Sequence, residues 1–596
     1  MKITVSEAIV RWILAQKIQS STAVLPYFAG VHAIFGHGNA LGLGVSLSAA
    51  QEKITTYRGQ SEEGMALAAV GFAKANRRQQ CQIVTTSIGP GALNVITAAG
   101  VALANRLPLL VLSGDTFNSR IPDPVLQQVE HFDQPSITAN DAFKAVVRYW
   151  DRITSPTQIL TSLPNALNTM LDPTTCGPAF IALPQDVQVM KYEFPDEFFQ
   201  ERIHVIPRPR ADKREIEIAA DLINSSVRPI IISGGGVHYS LAEKALATIA
   251  KEKSIPVVET MAGKSTLVWS DQRLIGPLGV TGSEPTNKVV EQSDLIIAIG
   301  TRLQDFTTGS WTLFGDKKIV AINTTRFDAS KKGSAPVVGD ALVTLEEISP
   351  KIVAKSGSWL IEAQKARREI TNEIAVRKEL SSDLPTYAQV VIAVNEIARD
   401  SDYVMTAAGG LPGELNMNWL SKSIHSFDCE YGFSCMGYEI SGAWGAALGR
   451  KEGRVITLLG DGSYMMLNSD IYSAVLHKTP LTIIICDNGG YAVISRLQSN
   501  NGAASFRTMI TESSGSPRVD FAAHAAAMGA KVFRAKSQMD VAEYVKNSLN
   551  SPSVEVIVIE TAPATWSEGG AYWQVGVSEE FESQESKDKK SSQRIF

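Results

Sequence analysis

Residues 455–491 read VITLLGDGSYMMLNSDIYSAVLHKTPLTIIICDNGGY. An apolar run of strand length ends in Gly460-Asp461-Gly462-Ser463. A helical stretch follows, and a second apolar run ends in Asp487-Asn488-Gly489-Gly490. Parallel strands joined by a helical crossover bring such loops side by side at the carboxyl ends of neighbouring strands. Asp461 and Asn488 are therefore expected to meet in space. A carboxylate, an amide oxygen and the backbone carbonyl at Gly490 form an all-oxygen set suited to Mg²⁺, with a bound phosphate completing its shell. The glycines let the backbone approach an anion, and a helix starting near Ser463 aims free N–H groups at it. GDG or NGG alone is an ordinary turn; the pair, each directly behind an apolar strand, points to a site.

Working outward, apolar runs recur at 33–36, 82–86, 109–113 and 179–183, at 229–233, 256–259, 294–300 and 318–323, and at 403–407, 455–460, 481–487 and 554–560. They alternate with helical stretches such as 62–76 and 211–224. This alternation predicts an α/β chain of three doubly wound parallel-sheet domains. Segment 185–211, with Pro195, Pro207 and Pro209, reads as a linker, and 354–386 as an exposed helix leading to the last unit. The units are placed at 1–190, 205–350 and 385–575, with a polar tail at 576–596 whose end is expected to fray.

Composition narrows the function. The 596 residues are 44% hydrophobic and 20% charged, which excludes wholesale disorder. With 56 basic against 61 acidic residues and no long like-charge run, neither a nucleic-acid nor a membrane partner is expected. No apolar run approaches the ~18 residues of a membrane span. Glu7 and Arg11 interrupt the first apolar stretch, so no secretory leader is expected. Five cysteines without CxxC spacing argue against a zinc ribbon or a disulfide scaffold and suit free thiols in the cytoplasm.

The G-D-G-S and [D/N]-N-x-G pair resembles the diphosphate motif of thiamine diphosphate (ThDP) enzymes, with Asp487 replacing the first of two usual asparagines. The resemblance implies a pyrimidine-binding, a middle and a diphosphate-binding domain. It assigns Asp461, Asn488 and the Gly490 carbonyl to Mg²⁺, and Gly462, Ser463 and Asn488 to the cofactor. Gly409 and Gly410 would lie along the diphosphate. Met436, before Gly437, would bend the cofactor, although a Met there suits core filling equally. The string SEEGMALAAVGFAKA resembles the activating segment, with Glu62 as the carboxyl group bonded to the aminopyrimidine. Glu63 is expected to be solvated and favoured by the helix dipole.

Other positions stay open. Gly89, in Gly89-Pro90-Gly91, is a cofactor loop or a tight turn. His37 in IFGHGN faces substrate by resemblance or serves a structural role, and Gln127 in LQQVE resembles an active-site glutamine. Trp566 and Trp573 belong to a lid or a packed anchor. Gly234-Gly235-Gly236 is a poor dinucleotide fingerprint, so no FAD is expected in the middle unit.

Longer strings, including IFGHGNALGLG, PDPVLQQVE, ETMAGKST and EYGFSCMGYE, are similar to the branch of the family that hydrolyses a cyclic dione in myo-inositol catabolism. That resemblance implies ring opening of a trihydroxycyclohexane-1,2-dione to 5-deoxyglucuronate, with ThDP as electron sink. Glu62 would be catalytic, with His37 and Gln127 relaying protons or activating water. It also implies a homodimer or tetramer whose active site lies between chains. The alternatives are a carboligase like acetolactate synthase and a hydrolase of another cyclic dione.

Overall fold

Three six-stranded sheets form where the apolar runs cluster, and every strand pair within them is parallel. The computed structural model describes residues 1–20, 22–513, 515 and 517–591. In spatial order the first sheet holds Thr56–Arg58, Phe28–Ala33, Cys81–Thr86, Leu109–Asp115, Pro178–Pro184 and Tyr149–Arg152. The third holds Phe427–Cys429, Tyr403–Thr406, Val455–Gly460, Thr482–Asp487, Glu555–Glu560 and Lys531–Ala535. Counted in chain order within each sheet, both run 2-1-3-4-6-5. The middle sheet, Leu274–Pro277, Val257–Glu259, Pro229–Ser233, Leu295–Ile299, Lys318–Asn323 and Ala335–Val338, runs 3-2-1-4-5-6. Inner strands such as Leu109–Asp115 and Thr482–Asp487 are buried along their whole length, because helices cover both faces of a parallel sheet.

Several details differ from the sequence reading. The first strand is Phe28–Ala33, and the chain has left the sheet by Ile34. Asn39 takes up the freed backbone groups: its Oδ1 accepts from Gly36 N at 3.0 Å and its Nδ2 donates to Ile34 O at 3.3 Å. Segment 185–211 is woven into two small sheets rather than hanging free. Lys191–Glu193 pairs antiparallel with Lys2–Thr4, and Arg202–His204 pairs parallel with Gln16–Gln19. The helix Ser358–Lys378 is not exposed all round. Trp359, Ala363, Ala366, Ile370 and Ile374 recur at helical spacing and are buried. Trp359 Nε1 also donates to Pro229 O at 2.9 Å. The tail forms a helix, Gln584–Ser591, instead of fraying there; residues 592–596 lie outside the described residues.

The first and third units meet along helices Glu62–Ala75 and Tyr438–Gly449. Small residues bring the two backbones together. A Cβ on Gly71 would come within 2.2 Å of Gly442 O, and one on Gly445 within 1.7 Å of Ala68 O. Lys74 crosses the same boundary, pairing with Asp428 and donating to Cys429 O at 3.1 Å.

Candidate functional site

Two clusters of candidate residues form, each at the carboxyl edge of one sheet. In the third unit, Asp461 opens the helix Asp461–Met466 directly after its strand, and Asn488 follows the neighbouring strand. Asn488 N donates to Asp461 Oδ1 at 3.3 Å. The Asn488 amide has two orientations. In one, Nδ2 donates to Tyr387 Oη at 2.8 Å while the amide oxygen lies 2.9 Å from Gly490 O and 3.1 Å from Asp461 Oδ1. Three oxygens then face one another, an arrangement that a cation among them would stabilise. In the other, the amide nitrogen donates to both oxygens and Tyr387 donates to the amide oxygen. An octahedral Mg²⁺ with ~2.1 Å bonds holds neighbouring oxygens ~3 Å apart, so the first orientation fits that ion. Among the described residues no three His, Cys, Asp or Glu side chains group as a metal cluster; this set mixes carboxylate, amide and carbonyl. Burial first, and Asp487 next, push the Asp461 carboxyl up to about 6. A bound cation would oppose that shift.

Of the surrounding turns, one opens onto free space and the others are packed against the protein. Gly409 has φ +85° and open space where a side chain would start. Gly490 has φ +142°, and a Cβ there would come 2.3 Å from Thr508 O. A Cβ on Gly462 would strike Tyr491 at 2.6 Å. Gly410 lies against Trp566, which stands edge-on to Tyr387 at 5.6 Å between ring centroids. Trp566 is thus a packed wall of this cluster. Trp573 is an anchor on the middle unit, donating from Nε1 to Asp305 Oδ2 at 2.7 Å. Met436 is half-buried beside Gly437, whose φ is +96°. The Ser463 hydroxyl is engaged within the protein, 2.8 Å from both carboxylate oxygens of Glu439.

In the first unit, Ser61 caps the helix Glu62–Ala75, and Glu62 is its first residue. Glu62 Oε2 accepts from Asn94 Nδ2 at 3.1 Å, and its Oε1 would lie 3.1 Å from a Cβ on Gly91. His37 is exposed in the turn after Phe28–Ala33; next to it, Gly38 N donates to Ser87 Oγ at 3.3 Å. Gly89 has φ +61°, and a Cβ there would overlap Gln127 O at 1.6 Å. Gln127 is itself exposed with φ +66°. The loops carrying His37, Glu62, Gly89 and Gln127 therefore converge. Glu63 is only partly solvated: it is half-buried, and burial pushes its carboxyl up. Among the described residues, no hydrogen bond joins Glu62 to Asp461, Asn488 or Gly490.

Sequence reasoning missed Tyr387, Asn94 and Glu439. Tyr387 and Asn488 are 101 positions apart, beyond any local motif. Glu439 had one signal, a charge opening the apolar run Tyr438–Gly449. The middle-unit glycines serve packing: Cβ atoms on Gly234 and Gly236 would come 2.5 and 2.6 Å from Gly300. A cavity of about 340 Å³ beside them is lined by Arg78, Arg106, Arg208 and Arg302, apart from both clusters.

Comparison with known proteins agrees with this division. Three family descriptions match in order: thiamine pyrophosphate (diphosphate) enzyme N-terminal TPP binding domain over residues 28–137, central domain over 216–348, and C-terminal TPP binding domain over 412–559. The 3D-(3,5/4)-trihydroxycyclohexane-1,2-dione hydrolase of Clostridium tetani is 38% identical, over 97% of this chain and 96% of that protein. Proteins of the same name from Listeria monocytogenes and Bacillus subtilis are 39% and 37% identical, with the same coverage. With both cofactor-binding domains and the central domain matched, and relatives aligned almost end to end, this chain belongs to the thiamine pyrophosphate enzyme family.

Proposed function

We propose that this chain hydrolyses a ring carbon–carbon bond of 3D-(3,5/4)-trihydroxycyclohexane-1,2-dione, giving 5-deoxyglucuronate in the cytoplasm, with thiamine diphosphate and Mg²⁺ held between two copies of the chain. The observation that carries this reading is the 37–39% identity to hydrolases of that substrate across nearly the whole chain. When bound, the cofactor supplies a nucleophilic carbon and an electron sink for C–C cleavage.

The chain's own residues supply the rest. Asp461, the Asn488 amide oxygen and the Gly490 carbonyl would hold Mg²⁺, with Tyr387 fixing the amide. Glu62, oriented by Asn94, would hold the proton exchanged with the aminopyrimidine ring. His37 and Gln127 would hydrogen-bond substrate and water at the exposed rim. A neutral polyol is recognised by such hydrogen bonds rather than by a basic pocket. One observation supports assembly: apolar side chains are exposed beside both clusters. Leu126 and Phe132 flank the first, and Met465, Met466 and Phe506 the second, a pattern suited to burial against another copy. Among the described residues no helix is long and apolar enough to cross a membrane.

The test is turnover of the dione by purified protein with and without thiamine diphosphate and Mg²⁺. Ring-opened acid formed only with both is expected. Consumption of pyruvate in place of the dione would overturn the substrate reading and favour the carboligase.

A further inference from the structure

Glu439 is fully buried, and among the described residues no Lys, Arg or His pairs with it. Its Oε2 accepts from Gly437 N at 2.9 Å, and both carboxylate oxygens lie 2.8 Å from Ser463 Oγ. Gly437 N is also 2.9 Å from that hydroxyl. The backbone of Ala408, next to Gly409 and Gly410, further favours its ionised form. The Glu439 backbone carbonyl is pinned by Thr457 Oγ1 at 3.0 Å. One carboxylate thus joins two separate turns, 436–437 and 460–463. A Leu or Met of similar volume would fill this space without the cost of burying an acid. The polar group does what an apolar one cannot, which is to fix the relative positions of backbone donors.

We infer that Glu439 is a positioning residue for the cofactor: through the hydroxyl of Ser463 it locks the Met436–Gly437 turn against the Gly460–Ser463 turn. The inference rests on the thiamine diphosphate reading above. It changes the role of Ser463, whose hydroxyl is a strut within the protein and whose backbone alone faces the ligand. Burial pushes the Glu439 carboxyl up to about 7, in keeping with an acid that has hydrogen bonds but no counter-ion.

The experiment is calorimetric titration of the full-length protein with thiamine diphosphate in saturating Mg²⁺, alongside thermal unfolding without cofactor. Glu439→Leu is expected to weaken binding about tenfold or more, while the apo unfolding temperature stays the same or rises. Glu439→Gln keeps an acceptor for Gly437 and a partner for Ser463, and should bind within about threefold of wild type. Ser463→Ala should match Glu439→Leu, and the double variant should be no worse than either, because the two act as one unit. Unchanged binding in Glu439→Leu, or losses that multiply in the double variant, would overturn the inference. Should Glu439→Leu not fold, Ser463→Ala against Glu439→Gln carries the test, and unchanged binding in Ser463→Ala overturns it. Failure of the wild type to bind thiamine diphosphate would instead overturn the functional reading, and this inference with it.

Discussion

The first and third units share the strand order 2-1-3-4-6-5 and present different chemistry at the same edge. In the first unit the loops converge on a half-buried carboxylate, Glu62, held by an amide donor and ringed by exposed His37 and Gln127. In the third they converge on a set of oxygen donors, those of buried Asp461 and Asn488 and the carbonyl of half-buried Gly490. One topology therefore supplies a rim of loops, and the residues on the rim decide whether it handles protons or cations. The middle unit, with order 3-2-1-4-5-6, shows the same point from the other side. Its strand-end glycines are consumed by loop-to-loop packing.

That contrast can be broken one unit at a time. The largest effect is expected from Asp461→Ala, which removes the charged member of the oxygen cluster. Cofactor binding should fall below detection in calorimetry and turnover with it. Glu62→Gln strikes the other rim. Cofactor affinity should stay within about threefold while turnover falls by ~10²–10⁴, the usual worth of a positioned acid–base group. Equal loss of binding in both variants would erase the division of labour. Tyr387→Phe removes the hydroxyl that orients Asn488, and Mg²⁺ affinity should fall about tenfold, at the low end for loss of a group that orients a metal ligand.

The smallest effect concerns the boundary between the two units. His32 of the first unit is fully buried, edge-on to Trp444 of the third at 4.9 Å, with Nε2 2.7 Å from Gln82 Oε1. Burial lowers it from 6.5 to about 4. The unfolded chain then takes up the proton first. The stability held by neutral His32 is full above pH 6.5 and lost as pH falls towards 4, amounting to about 2 kcal/mol at pH 5. In His32→Gln the fall in unfolding temperature between pH 7.5 and pH 5 should be shallower than in wild type.

How much of this was legible in the sequence follows the physics of each element. Eleven of the twelve inner strands announced themselves, because strands covered on both faces are continuous apolar runs such as Leu295–Ile299; Phe28–Ala33, broken by Gly30 and His32, did not, and the apolar run 33–36 starts only at its last residue. The two edge strands of every sheet did not. Thr56–Arg58 and Phe427–Cys429 are three residues long and mix polar with apolar side chains, while Lys531–Ala535 is half-exposed. Those segments are strands because a neighbour offers them a ladder, which no local pattern encodes. The candidate site divides in the same way. Asp461, Asn488, Gly490 and Glu62 sit in short strings tied to strand or helix ends. Tyr387, Asn94 and Glu439 matter through partners distant in the chain, so only the fold reveals them. The linker reading of 185–211 went astray because its two short strands pair with residues 2–4 and 16–19, at the far end of the unit.

The central claim is that the two rims complete one site across two copies of the chain. Mixing unfolded and co-refolded, or co-expressed, Glu62→Gln and Asp461→Ala proteins tests it directly. Each alone should be inactive. Random pairing of subunits would give half mixed dimers, each with one intact site, and so about a quarter of wild-type turnover of the dione. Recovery near that level is the predicted result. No recovery from mixed dimers shown to have formed would contradict it and place both rims of the working site in a single chain.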